Sequence, residues 1–190
     1  MNINKKGIRV LAIAESFKKQ TSNSILTGVV MRKDLVIDGI IFGKATIGGN
    51  DATKNIIGMY NNLERNDIGF ILLDGMIISM FNIIDGEKIH NSTGIPVIII
   101  TFRNSQGIDN IIKNHFPDSY EARLSLIKKL GTRNTILLKT DKFLLIRTWG
   151  IKLEDAVKLL NSFLLQGSIP EPIKLAKIIS RAYLNTLYLH

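Results

Sequence analysis

The chain contains no cysteine. That excludes disulfides and thiolate metal sites, and we expect a cytoplasmic protein on that ground. No apolar run approaches the ~20 residues of a membrane-spanning helix. The start, "MNINKKGIRVLAIAES", places basic residues before a short apolar stretch. No small-residue cleavage site follows, and "RVLAIAES" reads better as a first strand than as a signal peptide. Histidine is scarce: His90, His115 and His190 are scattered without helical metal spacing, which argues against a histidine zinc site. "IGGND" holds neither a dinucleotide fingerprint nor a P-loop lysine, and no Gly-x-Ser-x-Gly elbow is present. Repeats, linkers and low-complexity tracts are absent as well. Acidic residues are in short supply, 16 against 25 basic ones, and the net charge is +9. Such a surplus favours a polyanionic partner, DNA or RNA, through phosphate neutralisation and counterion release. The plain alternative is a solvated basic surface with no specific partner.

What is present suits a soluble globular chain. With 190 residues, 45% apolar and 22% charged, it has enough apolar material for one sizeable core, so a single domain over residues 1–190 is expected. Residues 7–15 read as a buried strand. "ILTGVVMR" (25–32) and "LVIDGIIFG" (35–43) flank the turn pair Lys33-Asp34 and read as an antiparallel hairpin. A glycine-containing loop, "GKATIGGNDAT", leads to a helix with apolar positions at Ala52, Ile56, Ile57, Tyr60 and Leu63, which Asn50 or Asp51 can cap. "IGFILL" is a strand, residues 76–91 read as a helix, and "IPVIIITF" is another continuous apolar strand. Continuous runs of this kind are typical of parallel strands covered on both faces. Residues 105–131 look helical, broken near "FPDS", with Asp118 or Ser119 as a cap. "TILLK" and "FLLIRT" around "TDK" form a second hairpin, and helices follow at 152–165 and 171–189. The order predicts an α/β fold: a mixed sheet with helices on both faces, ribonuclease-H-like, with a Rossmann-like sheet as the competitor.

In an open α/β sheet, ligands bind outside the carboxyl ends of the strands. Glu15 closes the first strand, Asp74 closes "IGFILLD", and Asp51 opens the first helix. Three carboxylates in one site repel unless cations neutralise them. Such a set suits Mg²⁺ or Mn²⁺, which take oxygen ligands and serve phosphodiester hydrolysis. Each acid also has an ordinary role. Asp74-Gly75 is a turn pair, Asp51 a helix cap, and Glu15 a partner for Lys18 or Lys19. Lys174, Lys177 and Arg181 share a helical face that either touches phosphates or is simply solvated. Trp149 and Phe42 either stack on bases or pack in the core.

"KKGIRVLAIAESFKK", "LVIDGIIFGKATIGGNDAT", "ILLDGMIISMFNIID", "GIPVIIITF" and "IPEPIKLA", in this order, resemble the archaeal endonuclease dU family, a relative of endonuclease V. The resemblance runs over essentially the whole chain. It implies a ribonuclease-H-like fold and a metal-dependent endonuclease acting on DNA with deaminated bases, deoxyuridine in particular, with Mg²⁺ or Mn²⁺ as cofactor. It also implies the metal ligands. Asp74 matches the Asp-Gly acid of endonuclease V, and Asp51 stands in Asn50-Asp51 where that family has Arg-Glu. Glu15 adjoins the first acid's position, which Ala14 itself occupies. Phe42-Gly43-Lys44, without proline, stands where endonuclease V has its tyrosine-proline wedge, so base preference is not carried over from it. Trp149 falls where that family has a histidine near the last hairpin, and Arg103 where it has a lysine. Arg103, Lys44, Phe42 and Trp149 are thus the expected nucleic-acid contacts. The alternative function is a ribonuclease-H-like nucleic-acid-binding protein that has lost its chemistry. A small-molecule α/β enzyme is the third reading, disfavoured by the missing nucleotide fingerprint and the basic surplus.

Overall fold

A computed structural model of the chain describes residues 7–102 and 108–188. The apolar runs become strands. β1 (Arg9–Ser16), β2 (Asn23–Arg32) and β3 (Ile37–Thr46) are followed by helix α1 (Ala52–Asn62) and strand β4 (Ile68–Asp74). A small hairpin, β5 (Ile77–Ile78) and β6 (Asn82–Ile83), precedes α2 (Gly86–Thr93) and β7 (Val97–Thr101). Helices α3 (Ile108–His115) and α4 (Tyr120–Lys129) flank a 3-10 turn at Pro117–Ser119. Strands β8 (Asn134–Leu137) and β9 (Phe143–Trp149), then α5 (Leu153–Ser162) and α6 (Glu171–Leu187), complete the order.

Seven strands form one sheet in the order β3-β2-β1-β4-β7-β9-β8. β1, β4 and β7 run parallel in the middle, while β2, β3, β9 and β8 join antiparallel. The central strands are buried on both faces, which explains their unbroken apolar sequence. Ala12, Ala14, Phe70, Leu72, Ile98 and Ile100 pack on one face with α5 and α6. Leu11, Ile13, Ile71, Leu73 and Ile99 pack on the other with α1 and α2. Helix α6 lies across β1 and β2, and its buried Ser180 donates to the Ile25 carbonyl at 2.9 Å. No described helix is long and apolar enough to cross a membrane.

One expected element is corrected. Residues 76–91 are not one helix: the β5–β6 hairpin occupies the first half, and α2 starts at Gly86. Ser79, Met80 and Phe81 have φ of 45°, 52° and 71°, a left-handed turn that no α-helix admits. The helix begins where Asp85 accepts the Lys88 N–H at 2.9 Å, a side-chain cap.

Candidate active site at the carboxyl edge of the sheet

β1 and β4 are parallel neighbours, so their carboxyl ends fall on one edge. This brings Glu15 and Asp74 together at a small cavity that both line, with Ile13, Ala14 and Leu73. Strand alternation still separates them. Glu15 follows Leu11 and Ile13 on the α1 face, and Asp74 follows Phe70 and Leu72 on the α6 face. They approach each other over the rim. Gly75 takes φ of 94° immediately after Asp74, a conformation side-chain-bearing residues rarely adopt, and turns the chain off the edge.

Each carboxylate has its own surroundings. Glu15 accepts the Ser79 N–H at 2.9 Å and the Ser79 hydroxyl at 2.7 Å; Ser79 in turn lies 2.6 Å from the buried Ser24 hydroxyl. Burial pushes the Glu15 carboxyl above its ordinary range, the bonds from Ser79 and Ser24 pull it down, and the charge of Asp74 adds to the rise. Asp74 is only 11% exposed and pairs with the Lys177 ammonium of α6 at 2.8 Å. Burial raises its pKa as well, and Lys177 opposes the rise.

Asp51 occupies the N-cap position of α1, yet its side chain does not cap the helix. It turns back to accept the Thr46 N–H at 3.0 Å and hydroxyl at 2.8 Å, the Asn82 amide at 2.7 Å and the Asn55 amide at 3.1 Å. Burial raises its pKa, but the bonds from Thr46 and Asn82 outweigh that and leave it lowered. Asn82, from β6, does the capping: its side-chain oxygen accepts the Ala52 N–H at 3.1 Å. One turn thus holds two acids, through Ser79 to Glu15 and through Asn82 to Asp51. Among the described residues no three His, Cys, Asp or Glu side chains come close enough to form a metal-binding group.

The other expected contacts are dispersed. Lys44 on edge strand β3 is in register, through Ile25, with Ser16, so it stands on the same rim as the acids, and it is exposed. Phe42, two residues back, is 45% exposed and stacks on Tyr183 of α6 with ring centroids 4.6 Å apart. Trp149 pairs with Val97, at the start of β7, because β9 runs antiparallel. It therefore lies at the opposite end of the sheet from Asp74. Its ring covers Gly86, where an added Cβ would meet it at 2.3 Å. Arg103 lies outside the described residues.

A cleft of about 640 Å³ opens beside Asp74 and Gly75. Its walls are apolar, with Met76, Ile77, Ile100 and Ile127 among them, and among the described residues its charged groups besides Asp74 are Lys177, Arg133 and Arg147. The sequence allows Lys177 either a phosphate contact or a solvated face; in the fold it is half-buried and Asp74 holds it. Arg133, Arg147, Ser79 and Asn82 escaped sequence reasoning. Nothing local distinguishes an arginine on an outer strand, and the two hairpin residues were hidden by the helical reading of 76–91.

The raised pKa values of Glu15 and Asp74 fix a pH dependence. A carboxyl raised in the folded state contributes stability that is complete below its unfolded value, about 4, and lost as pH rises through the folded value. At neutral pH the ionised acids therefore cost stability in the metal-free protein. Glu15→Gln is expected to raise Tm in EDTA at neutral pH by roughly 2–4 °C. The gain should vanish near about pH 4. Thermal unfolding at both pH values checks this.

The profile of the family described as "Endonuclease dU" matches residues 6–184. A UPF0215 protein of Pyrobaculum calidifontis is 35% identical over 179 residues, covering 92% of this chain and 98% of the relative. Among solved structures, a protein of unknown function from Archaeoglobus fulgidus aligns with TM-score 0.79 and 25% identity, over 93% of this chain and 98% of its own. Ciona intestinalis endonuclease V, in complex with a 24mer DNA containing an inosine followed by a ribo-adenosine, aligns with TM-score 0.62 and 17% identity, over 96% and 87%. The mixed sheet with helices on both faces is thus the ribonuclease-H-like fold of endonuclease V, as the sequence led us to expect.

Proposed function

The chain belongs to the endonuclease dU family, and from that premise we propose that it is a metal-dependent endonuclease cutting DNA near deaminated bases, deoxyuridine above all, in DNA repair. The observation that carries the reading is the meeting of Glu15 and Asp74 at the carboxyl ends of adjacent parallel strands, beside a cleft lined by cations. That the fold is shared with an endonuclease V bound to inosine-containing DNA supports DNA as the partner. The basic surplus of the chain points the same way.

The donor set fits a hard divalent cation. Both acids offer only oxygen and both are pushed towards their neutral forms by burial, so their ionised forms call for a counter-charge. Glu15 and Asp74 would hold Mg²⁺ or Mn²⁺; Asp51, the third acid that the family resemblance implies, stands apart from the pair, linked to Glu15 through the Ser79–Asn82 turn, and would have to move towards the cation to join it. A cation bound there supplies neutralisation of the phosphoryl oxygens and activation of the attacking water. The chain supplies the rest. The Glu15 carboxylate is fixed by two bonds from Ser79, so its orientation is set before substrate arrives. Lys177, from α6 on the Asp74 face of the sheet, brings a positive charge to the rim, where the scissile phosphate would lie. Lys44 and Phe42, on the far end of the same rim, would contact the flanking duplex.

A second reading has a specific observation behind it. Asp74 already has a cation, Lys177, and Asp51 already accepts bonds at both oxygens. A protein that only holds nucleic acid would look the same. Incubation with Mg²⁺ or Mn²⁺ and duplexes bearing one deoxyuridine, one deoxyinosine or only normal bases separates the two. The endonuclease nicks the deoxyuridine duplex and EDTA stops it. Salt-dependent binding in EDTA with no nicking under any metal would leave only the binding protein.

A further inference from the structure

We propose that Lys177 couples metal binding to DNA binding: its ammonium holds Asp74 in the absence of DNA and passes to a backbone phosphate when DNA arrives, which leaves Asp74 to the cation. The inference rests on the metal-nuclease reading above. Lys177 Nζ lies 2.8 Å from Asp74 Oδ2, and the two side chains differ in exposure, 11% for Asp74 against 35% for Lys177. The carboxylate is thus fixed at the end of β4, while the ammonium reaches it along a flexible, half-exposed stem. The helix behind that stem is anchored. Ile173 and Ala176 are fully buried, and Ser180 donates to the Ile25 carbonyl of β2 at 2.9 Å. A change of partner therefore needs only side-chain rotation. The ammonium also has a second attraction within reach, since it lies 5.0 Å from the centroid of the Phe102 ring, which lines the same cleft. A lysine suits such an exchange, being a point charge on a rotatable stem with no fixed fork.

Electrostatics supplies the coupling. A divalent cation on the Asp74 carboxylate would stand within a few ångström of the ammonium, and like charges so close repel strongly at a partly buried rim. Lys177 therefore weakens metal binding as long as nothing negative stands between the two cations. A backbone phosphate is that missing charge: one oxygen accepts from Lys177 while another faces the cation. Metal and DNA then each bind more tightly when the other is present, and linkage makes the two gains equal. Glu15 is held differently, by the N–H and hydroxyl of Ser79, both neutral. The exchange accordingly acts on Asp74. It also accounts for a carboxylate that is paired with a cation of the chain and yet stands at a metal-binding rim.

The test reads binding, not nicking. EPR of the free ion follows Mn²⁺ binding at about pH 8, well above the carboxylate range. Lys177→Met keeps the stem and removes the charge, so without DNA it should bind Mn²⁺ roughly tenfold more tightly than wild type. Lys177→Arg keeps the charge and should stay near wild type. Fluorescence anisotropy then measures DNA affinity in EDTA and in saturating Mn²⁺ at one ionic strength. The probe is a deoxyuridine duplex with phosphorothioate linkages, which keep the backbone charge and resist cleavage. The gain in affinity from Mn²⁺ should be roughly tenfold larger for wild type than for Lys177→Met. Circular dichroism verifies that each variant is folded. Equal Mn²⁺ affinity in wild type and Lys177→Met, or an equal gain from Mn²⁺ in DNA binding, overturns the exchange and leaves the metal reading standing. If neither protein binds Mn²⁺ more tightly than Asp74→Asn does, the metal reading of the rim has failed, and the exchange with it.

Discussion

Asp74→Asn is expected to lower the single-turnover rate of nicking on deoxyuridine DNA by roughly 10³ while leaving the protein folded. Asparagine keeps the shape and one acceptor for Lys177, 2.8 Å away. It removes the negative charge on which a hard cation depends. Charge stabilisation by a bound metal is worth several kcal/mol, and each ~1.4 kcal/mol is tenfold in rate. Folding is spared because burial already favours the neutral form of Asp74. For the same reason Tm in EDTA should hold or rise. Affinity in EDTA should hold or tighten, since a carboxylate facing phosphates has gone. Nicking by the variant at the wild-type rate would remove Asp74 from the chemistry, and with it the reading of the rim as a metal site.

Arg123→Met carries the second large effect, and it acts at a distance. Arg123, from α4, is 4% exposed, and its guanidinium donates to neutral oxygens. Its Nε donates to Ser119 at 2.9 Å, Nη2 to the Gly48 carbonyl at 2.6 Å, and Nη1 to the carbonyls of Gly49, at 3.3 Å, and Phe81. It also lies over the Phe116 ring, 4.2 Å from the centroid. One side chain therefore ties the loop before Asp51 to the turn that holds Glu15. That turn needs tying, because three successive residues without glycine adopt positive φ there. Methionine keeps the stem and loses every donor. Each buried acceptor left unpaired costs about 1–3 kcal/mol, offset in part by removal of a buried charge. A net loss of roughly 3 kcal/mol corresponds to a Tm lowered by about 6–12 °C. The functional signature is separate. Well below its Tm the variant should still bind DNA in EDTA but nick it slowly, because Ser79 no longer fixes Glu15. Wild-type nicking by the folded variant would show that Arg123 serves stability alone. Arg123→Lys, charged but without the fork, should not rescue nicking.

Much of the architecture is legible in the residues because the central strands are buried on both faces. Burial on two sides writes itself as runs without a charged residue, rich in isoleucine, leucine and valine, as in Phe70–Leu73 and Val97–Ile100. The acids that end such runs are legible too: a strand buried on both faces delivers its last residue to the edge. The hairpin at 77–83 was not legible. Its isoleucines fit either periodicity, and no glycine marks the left-handed turn. The partners that impose that turn are Arg123, 42 residues away, and Glu15, 64 residues away. The position of Asp51 at the start of α1 could be read, but not its turn towards Thr46. Trp149 lands at the far end of the sheet because β9 runs against β7, a direction that its own residues do not encode.

By itself, then, the sequence determined the succession of strands and helices, the acids at the strand ends, the basic surplus and the family. The tertiary structure alone decided which of these groups meet. It set Glu15 beside Asp74 by pairing β1 with β4, brought Lys177 onto Asp74 from α6, and gathered Arg133 and Arg147 at the same cleft. The reason is one of range. Apolar periodicity and strand-end carboxylates are local properties, set by which face of an element meets the core. Convergence depends on strand order and direction, and on hydrogen bonds between residues more than 40 positions apart.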